Sequence, residues 1–595
     1  MFTLMQNAAR TARLSHARAS VATVLLVVGL AACGGGGGGS ESTNAQGASS
    51  TSTNAQTFAV SRIEPPNGAT DVVPERLLSV QLSREPDPAS VNDETIEVNG
   101  VEGRIPGKIT VEGARILFRP SDALTFSSEY RFTIKSSVKD RGGNALGTPA
   151  ESVFKIREAA LTNIVNIDNG ASGEPRQVKV ARSATGDAFA VWRAYDGVRH
   201  NLWANHYDPA KNAWGPATLI ETTYLEIANF ELGADAKGGA MVLWRQGGFF
   251  ATGEVVALRY NPTTKQWQTT PKNVSDGVDA RLAVDANGNA LAVWPSPIRG
   301  RYYDAQLDQW QPVARVEVNN TGTGFSFSPT VVFDASGNAF SAFGNGRSGP
   351  ASIAVGNFFD GATKAWDSGP ENFTGILYGV PDSFVSGSND NFQLSADKRG
   401  NFFVVWEAVE FGSEPGTDRT TLRASRFSSA TKAWLPAKDI VLPSPELDVR
   451  LQRAITDDNG RAIVLWTQTE GGRTALKSLI VQIDDLSTSY RLTVDGRAGG
   501  GASEADFGFT RCATAMSVWL QNEGGRPGDG SRTNVYFSRY NYVNGPGAWG
   551  TAMPIEDQPG NTRSPDFVMA PNGRAHVVWI QSDAGVYRVK ELRLF

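Results

Sequence analysis

A glycine–aromatic spacing recurs along most of the chain and sets a tight limit on how it can fold. Aligned on the aromatic, the repeats carry Trp192, Trp244, Trp294, Phe343, Trp406, Trp466, Trp519 and Trp579, at steps of 49 to 63 residues. Six positions earlier stand Gly186, Gly238, Gly288, Gly337, Gly400, Gly460, Ala513 and Gly573. Seven glycines of eight suit a turn that needs positive φ without a Cβ penalty. Four positions before the aromatic the residue is alanine in every repeat except Phe402, as expected where neighbouring sheets approach closely. The residues just before the aromatic are mostly Val, Leu or Ala, so this strand is apolar on both faces and must lie between layers.

A second landmark follows. Tyr207 and Trp214, Tyr260 and Trp267, Tyr303 and Trp310, Phe359 and Trp366, and Phe427 and Trp434 each stand seven residues apart. Ile483 and Tyr490 keep the spacing with altered residues, and Tyr540 to Trp549 stretches it by two. The polar text between them joins a third strand to a fourth. Four-stranded units at a period of roughly 50 residues indicate a β-propeller. Eight units imply eight blades, with seven as the alternative.

The eighth unit stops at Phe595 on its third strand. Leu161 to Asp168 (LTNIVNID) reads like the fourth-strand text of other units, LPAKDIVL and GTAMPIED. It is expected to complete the last blade, closing a domain over residues 160–595 and removing exposed sheet edges.

Residues 1–32 are expected to be a signal peptide. Arg10, Arg13 and Arg18 precede the apolar run Val21 to Leu30, which is too short to span a bilayer. Leu30-Ala31-Ala32-Cys33 resembles the bacterial lipoprotein signal. That resemblance implies lipidation of Cys33, a membrane partner through the lipid and, with Gly34 following, outer-membrane sorting. Residues 33–58 then form the lipidated cysteine and a Gly/Ser/Thr tether, too poor in apolar residues to fold. With Cys33 lipidated, the other cysteine, Cys512, is expected to have no partner for a disulfide. Beyond the signal, 53 basic face 61 acidic side chains, a balance that argues against a nucleic-acid partner.

Residues 59–158 read as a separate β-sandwich. Leu78, Val80 and Leu82 alternate, as do Tyr130, Phe132 and Ile134. Pro66-Asn67-Gly68-Ala69, Asp87-Pro88-Ala89-Ser90-Val91, Leu117-Phe118-Arg119-Pro120 and Asp140-Arg141-Gly142-Gly143-Asn144-Ala145-Leu146 resemble the SbsA-type bacterial Ig-like domain of S-layer and surface proteins. Leu82 departs from it, where an aromatic is usual. The resemblance implies a spacer. The fold class expected is therefore all-β, a small Ig-like sandwich followed by a propeller.

Chemistry is harder to read. His200, His206 and His576 form no metal motif and are read as packing or paired rings; no catalytic residue or cofactor is assigned. Asp285-Ala286-Asn287-Gly288-Asn289 and Asp334-Ala335-Ser336-Gly337-Asn338 lack the run of carboxylates a calcium loop needs and are read as Asx turns. Ser395 to Gly400 approaches a sialidase Asp box with one residue too many, so any sialidase likeness is architectural. Gln246, Gln468, Gln521 and Gln581, each two places after the aromatic, are expected to satisfy backbone groups. Length variation concentrates in the connections opposite the glycine turns, which points to that face for ligand binding. Candidate contacts there are Phe249, Phe250, Glu407, Asp418, Arg526 and Asp529. The leading expectation is a lipid-anchored display protein binding a glycan, peptide or envelope partner. A glycoside hydrolase or polysaccharide lyase on the same scaffold, and a structural envelope component, are the competing classes.

Overall fold

The computed structural model describes residues 57–594, except 75, 102, 122, 159, 170–172, 222, 224, 248–252, 277–279, 296, 318–325, 347–351, 368–375, 378–382, 386–391, 411–418, 442–448, 458–459, 497–499, 511–513, 524–530, 542–546 and 557–560. The regular structure there is almost wholly strand, with one short 3-10 turn at Pro88–Ser90.

The first strands make two facing sheets. One orders Val60–Glu64, Leu78–Leu82, Arg115–Pro120 and Gly107–Glu112; the other orders Ala69–Val72, Ala150–Ile156, Glu129–Ile134, Ile96–Gly100 and Gly103–Arg104. The alternating residues Leu78, Val80, Leu82, Tyr130, Phe132 and Ile134 all lie buried in one core, while Gln81, Glu129 and Arg131 face water. The Asp140 turn is set by its own carboxylate, whose Oδ1 accepts the backbone N–H of Gly142 and of Asn144, both at 2.9 Å.

The remaining strands form, among the described residues, eight antiparallel sheets. The third is representative: Arg281–Val284, Ala290–Trp294, Arg299–Asp304, then Gln309–Trp310 and Ala314–Arg315 as a broken outer strand. Pro216, Pro271, Pro312 and Pro436 fall at or beside this break in four sheets. Proline has no N–H for the ladder and belongs on an edge. The first strands of successive sheets touch in order, and Thr562–Met569 of the last touches Glu174–Arg182 of the first. The circuit closes as a β-propeller.

The two sequence landmarks have separate physical causes. All seven repeat glycines take positive φ, from 78° to 97°, at the turn between first and second strands. The turn is held from within: Asp285 Oδ1 accepts the N–H of Asn287 and Asn289, each at 2.8 Å. The aromatic at the end of the spacing is buried between sheets. Trp244, for example, packs on Val191 and Leu202 of the sheet before it, and Trp466 on Phe403, Val405 and Leu422. Truncating such a ring to alanine costs about 3–5 kcal/mol.

The seven-residue spacing is a cross-strand pair: Tyr207 opposes Trp214, Tyr260 opposes Trp267, Tyr303 opposes Trp310, Phe359 opposes Trp366 and Phe427 opposes Trp434. Tyr540 opposes Trp549 despite the two extra residues. Ile483 and Tyr490 are no such pair. Ile483 is buried, whereas Tyr490 is exposed with φ of 56° beside a register shift in the long outer strand Ser487–Thr493. Equal spacing there is coincidence.

In the eighth sheet, Val165–Asn166 supplies the outer strand, pairing antiparallel with Glu591 and Lys590 of Val586–Leu594. Ile167 N–H donates to Val589 O at 2.9 Å, and Asp168 Oδ2 accepts Val589 N–H at 3.1 Å. The sandwich rests on the glycine-turn side of this region, where Phe126 N–H donates to Asn572 O at 3.3 Å.

Candidate functional site

The eight first strands enclose a central cavity of about 570 Å³. Strands that converge on an axis leave little room, so bulk is admitted at chosen positions only. Gly233 is one restricted point: a Cβ there would lie 2.6 Å from Val284 Cγ2 of the next sheet. Bulges re-aim the side chains that follow them. Register shifts precede Gln177, Phe230, Thr330, Arg453, Asp506 and Asp566. In three of these bulges Ser328, Glu504 and Ser564 take left-handed φ of 48° to 51°.

A ring of equivalent residues results. Lys179, Glu231, Arg281, Thr330, Gln393, Arg453, Asp506 and Asp566 each stand thirteen residues before the repeat aromatic. Each also opposes the residue immediately preceding that aromatic: Val191, Leu243, Val293, Ala342, Val405, Leu465, Val518 and Val578. All eight line the cavity. Every one is polar, and six are charged.

The charges are linked unevenly. Glu231 holds two cations, with Lys179 Nζ at 2.6 Å and Arg281 Nη1 at 2.7 Å. Burial works to raise its carboxyl, but the two cations together hold it below the usual carboxylate range. Arg453 Nε lies 3.1 Å from Asp506 Oδ1, which also accepts Phe507 N–H at 2.7 Å. Among the described residues Asp566 makes no ion pair, and its Oδ2 accepts Val180 N–H at 2.6 Å. Burial, reinforced by the neighbouring Asp506, pushes the Asp566 carboxyl up to about 7. One carboxyl of the pair is thus poised to hold a proton near neutrality while the other is ion-paired.

Sequence reasoning pointed elsewhere. Glu407 lies on the strand Asn401–Glu410 with its side chain buried; Oε1 accepts Leu451 N–H at 2.7 Å and Oε2 faces Arg450 at 3.6 Å. It ties two adjacent sheets together. Phe249, Phe250, Asp418, Arg526, Asp529, Cys33 and Cys512 lie outside the described residues. The histidines are paired: His206 Nε2 with Asp187 at 2.7 Å, His576 Nδ1 with Glu591 at 2.9 Å, and His200 Nδ1 with Glu226. Among the described residues no group of three His, Cys, Asp or Glu is placed to hold a metal ion. The four glutamines take the buried indole N–H groups of Trp244, Trp466, Trp519 and Trp579 at 2.8 to 3.0 Å, so each satisfies the aromatic two places before it, a partner the sequence reading did not name.

The ring was missed because its residue types differ from sheet to sheet. Only the constant offset from the aromatic, combined with polarity at that position in every repeat, would have found it.

Residues 54–156 match the bacterial Ig-like domain family. No curated protein matches the chain. Among solved structures it is similar to an ulvan lyase described as a new family of polysaccharide lyase, at 11% identity and a TM-score of 0.39, over 64% of this chain and 93% of that one. It is also similar to the β-propeller domain of the Trilobed protease from Pyrococcus furiosus, at 10% identity and a TM-score of 0.34, over 67% of this chain and 98% of that one. A third is the NanB sialidase of Streptococcus pneumoniae, at 9% identity and a TM-score of 0.32, over 88% and 83% of the two chains.

Proposed function

We propose that the chain is an envelope-displayed recognition protein, held in the bacterial outer membrane through lipidated Cys33, spaced by the Ig-like domain, and binding a glycan or similar polar envelope ligand in its propeller. The observation that carries this reading is the ring of eight register-equivalent polar side chains around one cavity of about 570 Å³. A cavity of that size falls in the range of small-ligand sites. Its hydrogen-bonding groups are already oriented by the strands, which favours binding by lowering the ordering cost.

The test is a glycan array and an envelope-fragment pull-down with the full chain in detergent. Capture is expected, with at least tenfold loss in Arg281→Gln at an unchanged melting temperature. Capture that ignores this substitution would remove the cavity from the reading.

The Asp506–Asp566 pair favours one second reading, carboxylate catalysis on a polysaccharide, because unequal protonation of two neighbouring acids is what an acid/base pair requires. Release of reducing ends or unsaturated products that disappears in Asp566→Asn would replace binding with catalysis.

A further inference from the structure

The cavity wall is polarised as well as charged. On the first three sheets two cations, Lys179 and Arg281, share one carboxylate, Glu231, leaving an excess of positive charge. On the last three sheets two carboxyl groups, Asp506 and Asp566, stand beside one cation, Arg453, which pairs with Asp506, so that Asp566 leaves an excess of negative charge once it ionises. Thr330 and Gln393 separate the two arcs on one side, while on the other Asp566 stands next to Lys179 where the ring closes. Walls of low dielectric focus such a field into the cavity. A polyanion meets the Asp506–Asp566 arc unfavourably and a polycation meets the Lys179–Arg281 arc unfavourably. A neutral sugar gains hydrogen bonds from both arcs but no charge pairing from either.

Resting on the reading of the cavity as the ligand site, we infer that it selects a small zwitterion, seating an ammonium group at the Asp506–Asp566 arc and a carboxylate or sulfate at the Lys179–Arg281 arc. Asp566 is suited to the first role. Its Oδ2 is engaged by Val180 N–H, and no hydrogen bond from a side chain to either oxygen is present among the described residues. The charged groups facing it are Asp506 of the preceding sheet, Lys179 of the following one and Arg453 beyond Asp506; Glu504 lies near, accepting the N–H of Ser564. An arriving ammonium takes the place of the proton that Asp566 holds near neutrality. Zwitterion affinity is therefore expected to rise between pH 6 and pH 8 and to release a proton on binding.

The experiment is calorimetric titration of the full chain in detergent with four probes: glucose, glucosamine, glucuronate, and muramic acid, which carries an ammonium and a carboxylate on one sugar. Muramic acid is expected to bind at least tenfold more tightly than the other three. Asp566→Asn and Arg281→Gln should each bring it down to the level of the singly charged sugars, with folding confirmed by unchanged circular dichroism. If all four probes bind alike and both substitutions weaken them equally, the cavity remains the ligand site and the zwitterion preference is wrong. If no probe binds, or binding is indifferent to both substitutions, the inference and the cavity reading fall together.

Discussion

The carboxylate of Asp566, near the end of the chain, accepts the backbone N–H of Val180 at 2.6 Å, across 386 residues of sequence. Two residues earlier, Ser564 Oγ accepts Val178 N–H at 3.1 Å. The propeller is thus sealed at two radii, by side chains reaching to backbone at the cavity wall and by the strand Val165–Asn166 at the rim. The same carboxyl group therefore serves closure and faces the central cavity.

The rim seal can be weighed against the Ig-like domain. Deleting 161–168 removes the outer strand of the eighth sheet and uncovers the Val589 side of Val586–Leu594. Deleting 59–158 removes a sandwich with a core of its own. The first deletion is expected to lower the melting temperature of the propeller far more than the second. Ile167→Ala alone, at a side chain 1% exposed, should cost about 2–4 kcal/mol in denaturant unfolding. Equal melting of the two truncations would show that the rim strand does not close the ring.

The tryptophan–glutamine pairs make a graded prediction. Gln246 accepts from Trp244 and Thr223 and donates to Glu254, so Gln246→Leu strands several polar groups. Gln521 accepts from Trp519, but its own Nε2 is buried with no hydrogen-bond partner among the described residues. Replacing it removes one unsatisfied group while creating another. Gln246→Leu should cost about 2–3 kcal/mol and Gln521→Leu about 1 kcal/mol or less, read from urea midpoints. A larger loss at Gln521 contradicts the hydrogen-bond accounting.

The fold was legible wherever a backbone requirement selects one residue type. Positive φ demands glycine at Gly288 and its equivalents, and burial between sheets demands a large aromatic at Trp294 and its equivalents. Periodicity could not reveal the cavity ring, since a position that only needs to be polar can be Lys179 in one sheet, Gln393 in another and Asp566 in a third. Glu407 shows the converse error. A carboxylate directly after the repeat aromatic, at the start of a long variable connection, reads as a loop residue, yet it lies on the strand Asn401–Glu410 and holds Leu451 N–H in the neighbouring sheet. The burial of a side chain between sheets depends on packing between elements remote in sequence, which a linear pattern does not record.

Membrane attachment is tested at one atom. Cys33→Ser removes the thiol that would carry the acyl chains, and those chains would supply the membrane affinity. The protein is expected to shift from the membrane fraction to the soluble periplasmic fraction, with its melting temperature unchanged. Persistence in the membrane fraction would sink the lipoprotein proposal.

The last prediction concerns acid stability, where two groups act in opposite directions. In the unfolded chain Asp566 ionises near 3.8, whereas burial and Asp506 push it to about 7 in the folded ring. Between those values the folded state keeps a proton that the unfolded state has lost. Its contribution to stability is full below pH 3.8, declines as pH rises, and is exhausted above about 7. His576 runs the other way. Burial between Tyr207, Trp214 and Glu591 holds its imidazole below the ordinary 6.5, so stability is lost as pH falls below 6.5 and the unfolded chain takes up the proton first. Asp566→Asn abolishes the first term and leaves the second, while an amide oxygen can still accept Val180 N–H. Melting curves at pH 4.5, 6.0 and 7.5 should show the difference between variant and wild type growing in favour of the variant with each step. A difference that stays constant across the three pH values would mean that Asp566 ionises in the folded ring much as it does in water, and that the carboxyl pair is not coupled through the cavity wall.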